Sequence, residues 1–253
     1  MNFIAYKTIV RKEVTRFLRI WPQTLFPPVI TQMLYFLIFG KFIGSQIRDI
    51  NGISYMAFIV PGLVMMSVIN NSYMNVVSSF FSSKFQRSIE ELLVSPARNS
   101  VIIAGYITGG SLRGVMVGFL VFCVSFFFTR PTIHHAGFIV FFIILTSIVF
   151  SLGGLLNAIL AKKFDDISIF PTFVLTPLVY LGGVFYSVEN LPGFWQTVSK
   201  VNPVLYMVNG FRYGFYGICD VNLSVSIAIL IVFVLGLAGV NLYLLGKGVG
   251  LKS

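Results

Sequence analysis

Two adjacent carboxylates, Glu90 and Glu91, sit beside Leu92, Leu93 and Val94 in a chain where charge is scarce. Other residues capable of chemistry do not combine. His134 and His135 adjoin each other with no Cys or second His cluster at ligand spacing, so they read as surface imidazoles and not as metal ligands. Asp165 and Asp166 follow Lys162 and Lys163 at the end of an apolar run, and no GxSxG string supplies a nucleophile. No GxxxxGK[ST] is present, and the nearest string, Gly246-Lys247-Gly248, lacks the loop that cradles phosphates. Cys123 and Cys219 lie far apart and read as small apolar side chains. No catalytic residue and no metal site is assigned. What the carboxylate pair can do is dock on a basic surface: SKFQRSIEELLVSP is amphipathic, too short to cross a bilayer, and bounded by long apolar runs.

A second set of chemically capable residues falls inside the apolar runs. Ser67, Asn71, Asn75, Ser78 and Ser82 recur every three or four residues and form one polar stripe on a helix. They serve either as hydrogen-bonding glue between helices or as the lining of a hydrated pathway. Arg113 sits within a glycine ladder, Gly110, Gly114 and Gly118, next to the pair Gly105 and Gly109. A cation at membrane depth costs about 2.5–3.5 kcal/mol on insertion scales, so Arg113 either faces a partner or water in a transport pathway, or snorkels to the inner interface. Glycines four residues apart let helices approach closely, within one protomer or across a dimer.

The elements that hold these residues are membrane helices. The chain is 57% hydrophobic and 10% charged, against about 45–50% and about 25% for a soluble domain. Six apolar runs, near 24–43, 55–81, 101–128, 136–160, 168–188 and 223–245, are each long enough to span a bilayer as a helix. The fold expected is a single all-α polytopic membrane domain over 1–253. Lys7, Arg11, Lys12, Arg16, Arg19, Lys84, Arg87, Arg98, Lys162, Lys163, Lys247 and Lys252 gather on one side, against Lys41, Arg48, Arg130, Lys200 and Arg212 on the other. That bias puts both termini and the docking segment in the cytoplasm. The net charge of +10 is then met by anionic lipid, and nucleic acid is not an expected partner. A removed signal peptide is not expected, because the N-terminus is basic and amphipathic.

Residues 1–21 form an interfacial helix with Tyr6, Val10, Val14, Phe17 and Trp21 on its apolar face. Trp21-Pro22 ends it, and Pro27-Pro28 turns the chain into the first span. Pro171, Pro177 and Gly182-Gly183 kink the fifth span. Residues 189–215 are too long for a turn and too interrupted for a span, which fits two short helices dipping into the outer leaflet and packed against protein.

The interfacial helix, the six spans, FQRSIEELLVSP, and LPGFWQTVSKVNPVLYMVNGFRYG together resemble the permease subunit of type-2 ATP-binding-cassette exporters, near the YadH-like inner-membrane permeases. The resemblance covers essentially the whole chain. It implies that 83–96 is a coupling helix in which Phe85, Gln86, Arg87, Ile89, Glu90, Glu91, Leu92, Leu93 and Val94 dock on an ATPase. It implies a re-entrant hairpin carrying Trp195, Pro203, Tyr206 and Arg212, and a bacterial inner-membrane location. Two permeases would pair as a homodimer with two ATPases, ATP and Mg would bind the ATPase, and this chain would hold no cofactor. An amphipathic or lipid-linked substrate would move outward, with Ser67, Asn71, Asn75, Ser78 and Arg113 as pathway candidates. An intramembrane lipid-modifying enzyme built on Arg113 and the polar stripe is the alternative, opposed by the lack of a nucleophile and base in any span. A secondary transporter is opposed by the lack of an intramembrane carboxylate, since all eight acidic residues can be placed in loops or termini.

Overall fold

The computed structural model describes residues 2–47, 49–50 and 52–250; Arg48 and Lys252, counted above for orientation, lie outside the described residues. Among these the chain is helical, with no strand beyond a lone bridge at Ile50 and Ile53. Helix α1 is Asn2–Arg19 and α2 is Trp21–Gln46. Helix α3 is Tyr55–Phe85, α4 is Ser88–Val94, α5 is Asn99–Ser125 and α6 is Ala136–Leu160. Helix α7 is Asp166–Tyr180, α8 is Gly193–Val201, α9 is Pro203–Tyr216 and α10 is Leu223–Lys247.

Helices α2, α3, α5, α6 and α10 are long and apolar enough to cross a membrane. Helix α7 is shorter than the sequence implied. It stops at Tyr180 because Gly183 takes a left-handed φ of 72°, so the glycine pair ends the helix where a kink was expected. Its prolines act as anticipated: Pro171–Leu175 is a π-helical segment. Pro27 and Pro28 sit inside α2, and the bend into the membrane comes earlier, at Ile20 (φ −115°, ψ 34°). The Thr24 hydroxyl bridges that bend by donating to the Phe17 carbonyl at 2.9 Å.

Helix α3, the least apolar span, is the hub, packed against α5 and α6 and buried along almost its whole length. Its polar stripe would be costly toward lipid, whereas α2 and α10 keep most of their surface outward. The α5 glycines explain the closeness at the centre. A Cβ on Gly114 would overlap Ser72, and one on Gly110 or Gly118 would press on Val76 or Val68. On the adjoining face Gly105 and Gly109 receive Ile9 and Glu13 of α1, a Cβ on Gly105 falling 2.6 Å from Ile9. Both glycine sets are therefore consumed within the protomer, and a dimer seam through them is excluded.

Candidate functional site

The segment around α4 is built as a rigid foot. Arg87, with φ 59°, makes a tight left-handed turn between α3 and α4, closed by Gln86 and Arg87 N–H groups donating to Ser82 and Lys84 carbonyls at 3.0 Å. Ile89 is 1% exposed and plugs α4 into the core, and Leu92 and Leu93 are half-buried against it. Lys84 donates to the carbonyls of Ile159 (2.8 Å) and Ala161 (2.5 Å), pinning α3 to the last turn of α6. Phe85 meets Phe164 edge-on, with ring centroids 4.8 Å apart. Of the nine residues expected to dock, Ile89 is corrected to an internal anchor. Glu90, Glu91, Gln86, Arg87, Phe85 (63% exposed) and Val94 (87% exposed) form the free face.

The interfacial helix is more deeply engaged than its wheel implied. Its buried line is Ile9, Glu13 and Phe17, with Val10 and Val14 half-buried beside it and Trp21 exposed. Glu13 is 0% exposed, which corrects the placement of every acidic residue in loops or termini. Its charge is met by the Ser79 hydroxyl at 2.6 Å and by Arg16 at 3.3 Å. Arg16 also donates to Asn75 Oδ1 at 2.8 Å and to the Asn75 carbonyl at 2.9 Å. Lys12 donates to Ser83 at 3.3 Å over the face of Tyr106.

The polar stripe therefore divides. Asn75 is taken up by Arg16 and ties α3 to α1, while Ser78 bonds back to the Met74 and Asn75 carbonyls of its own helix and bridges nothing. Ser67, Asn71 and Arg113 instead line a cleft of about 410 Å³ between α2, α3 and α5. Arg113 donates to the Thr24 carbonyl at 3.3 Å and to Asn71 Oδ1 at 3.4 Å, and its Nε has no partner. Gln32 enters the same cleft from α2, 4% exposed and with its Oε1 unpartnered. The sequence reading passed over Gln32, although Leu25, Gln32, Phe36 and Gly40 lie on one buried helical face.

At the other end of the molecule α8 and α9 form the two short helices anticipated for 189–215, joined at Asn202-Pro203. Asn202 donates to the Leu178 carbonyl at 2.6 Å and its Oδ1 caps α9. Tyr206 donates to the Lys200 carbonyl at 2.6 Å, while Trp195 is 47% exposed. Helix α9 is buried almost throughout, as packing against protein requires, whereas α8 keeps Phe194, Trp195 and Val201 exposed, so the expectation holds for the second arm of the hairpin only. Arg212 is fully enclosed, 1% exposed. It donates to the Gly183 carbonyl at 2.6 Å, lies 3.7 Å from the Asp220 carboxylate, and stacks 3.9 Å over the Phe58 ring. Asp220 also accepts from the Val188 N–H at 3.2 Å, and its own N–H reaches Asn209 at 2.7 Å.

The molecule is a helical membrane bundle with a short anchored helix, α4, and a largely buried helix, α9, toward its opposite end. Residues 4–216 match the ABC-2 type transporter family, and the chain belongs to that family. It is 57% identical to the inner membrane transport permease YadH of Escherichia coli K12 over 253 residues, all of this chain and 99% of that one. It is also 24% identical to nodulation protein J of Rhizobium meliloti over 83% of this chain and 77% of the relative. The corresponding protein of Rhizobium leguminosarum bv. viciae is 22% identical over 92% and 86%. The chain is thus the transmembrane subunit of an ABC exporter, a multi-pass inner-membrane permease.

Proposed function

We propose that this permease moves an amphipathic or lipid-linked substrate outward, driven by a separate ATPase that docks on the free face of α4. The observation that carries the reading is the construction of that foot. Ile89 and the Lys84 carbonyl clamp make it rigid with α3 and α6, while Glu90, Glu91, Phe85 and Val94 stay open. An element fixed to the hub helix and exposed beneath it transmits a push to the bundle.

In this reading both termini and α4 are cytoplasmic, ATP and Mg bind the partner, and two permeases assemble with two ATPases. The described helices leave the cleft beside Arg113 open on one side, which supports a second protomer completing the route. The lipid-modifying alternative gains nothing from the stripe, because Ser67 and Ser78 spend their hydroxyls on carbonyls of their own helix. Reversing both glutamates, Glu90→Lys with Glu91→Lys, places like charges against a basic groove and is expected to weaken ATPase association more than about 100-fold. Membrane insertion should stay intact. Undiminished co-purification and undiminished stimulation of ATP hydrolysis would reject the docking role.

A further inference from the structure

Arg113 lacks the counter-charge that its counterparts possess. Arg16 has Glu13 and Arg212 has Asp220, each from this chain. Arg113 has no carboxylate within 4 Å among the described residues, and its contacts are neutral oxygens at 3.3 and 3.4 Å; its Nε is unpartnered, as are those of Arg16 and Arg212, so the missing carboxylate is what sets it apart. A second copy of the chain cannot supply the missing anion. Of the eight acidic residues, Glu13 and Asp220 are already committed. Asp49, Glu90, Glu91, Asp165, Asp166 and Glu189 lie outside the long spans. The long spans themselves hold no carboxylate that could pair with it.

We infer that the cleft between α2, α3 and α5 is the receptor for the anionic headgroup, phosphate or carboxylate, of the transported amphiphile, with Arg113 as the residue that binds it. This deepens the transport reading above and rests on it. A guanidinium presents paired N–H donors that match either oxyanion. The buried Gln32 Oε1 requires a donor, so the ligand carries a hydroxyl or N–H beside its charge. Pro27, Pro28, Met66 and Met74 give the same cleft an apolar wall for the tail. Thr24, which contacts Arg113, lies three residues from the start of α2, on the side where that helix leaves α1. In the proposed orientation this is the inner leaflet, where a substrate bound for export enters.

The test uses the full-length permease alone in phosphatidylcholine nanodiscs, with dodecyl phosphate as the probe and dodecyltrimethylammonium as its cationic control. Saturable binding of dodecyl phosphate and none of the cation are expected. Arg113→Gln should weaken binding by about 10–100-fold, the range for hydrogen bonds to charged groups. Arg19→Gln, on the exposed face of α1, should bind as the parent does. Equal losses in the Arg19 and Arg113 variants would reduce the effect to surface charge and overturn the proposal, as would unchanged binding in Arg113→Gln. Displacement of the probe by phosphatidylglycerol would identify a resident lipid headgroup and also overturn it; retention of the probe supports a transported ligand. No ATPase takes part, so failure here leaves the docking test standing, and failure of docking leaves this result standing.

Discussion

Arg212 in α9, buried, and Arg113 in α5, half-buried, are cations treated in opposite ways. Arg212 is enclosed by a carbonyl, a carboxylate at 3.7 Å and an aromatic face, although its Nε and Nη1 make no hydrogen bond. Arg113 touches neutral oxygens at long distance and opens onto a cleft. A buried charge with its partners ties elements together, and its removal strands the partner. A charge left short of partners contributes little to the fold, and under the proposal above it is kept for the ligand. The end that holds Arg212 is thus tied together by its own partners, and the end that holds Arg113 opens onto a cleft.

The largest effect expected from this contrast is at Arg212. Arg212→Ala leaves Asp220 buried without its cation, and should cost about 3–5 kcal/mol, read as loss of folded protein in detergent. Wild-type stability in that variant would erase the distinction. Next comes the hub contact: Gly114→Val forces a side chain into Ser72 and should cost about 1–3 kcal/mol by overpacking, with α3 and α5 parting as seen by cross-linking yield. Glu13→Ala should cost about 1–3 kcal/mol, since it strands Ser79 and a half-exposed Arg16, and it should raise protease sensitivity near α1 before the bundle unfolds. The smallest change in stability belongs to Val94→Ser on the free face of α4, within about 0.5 kcal/mol, although ATPase association should fall.

Much of this arrangement was legible in the residues. Apolar runs placed α2, α3, α5, α6 and α10 to within a few residues, Asn202-Pro203 marked the joint between α8 and α9, and the charged interruption at 83–96 marked α4. What escaped depends on partners distant in sequence. Glu13 reads as solvated until Gly109 and Ser79, from two other helices, close over it. Arg212 reads as a surface cation because Gly183 and Asp220 lie on either side of it in separate loops. The end of α7 escaped for a local reason: the same glycine pair can kink a helix or stop it, and the close approach of Val184 to Gly62 selects the stop.

The contrast between the two arginines is tested most directly by the melting temperatures of Arg212→Gln and Arg113→Gln, purified in one detergent and compared with the parent. At roughly 2–4 °C per kcal/mol for a chain of this size, Arg212→Gln should melt about 6–20 °C lower. Arg113→Gln should melt at the parent temperature or slightly above it, because an underpaired cation has been removed. A large drop in Arg113→Gln with little change in Arg212→Gln would contradict the account.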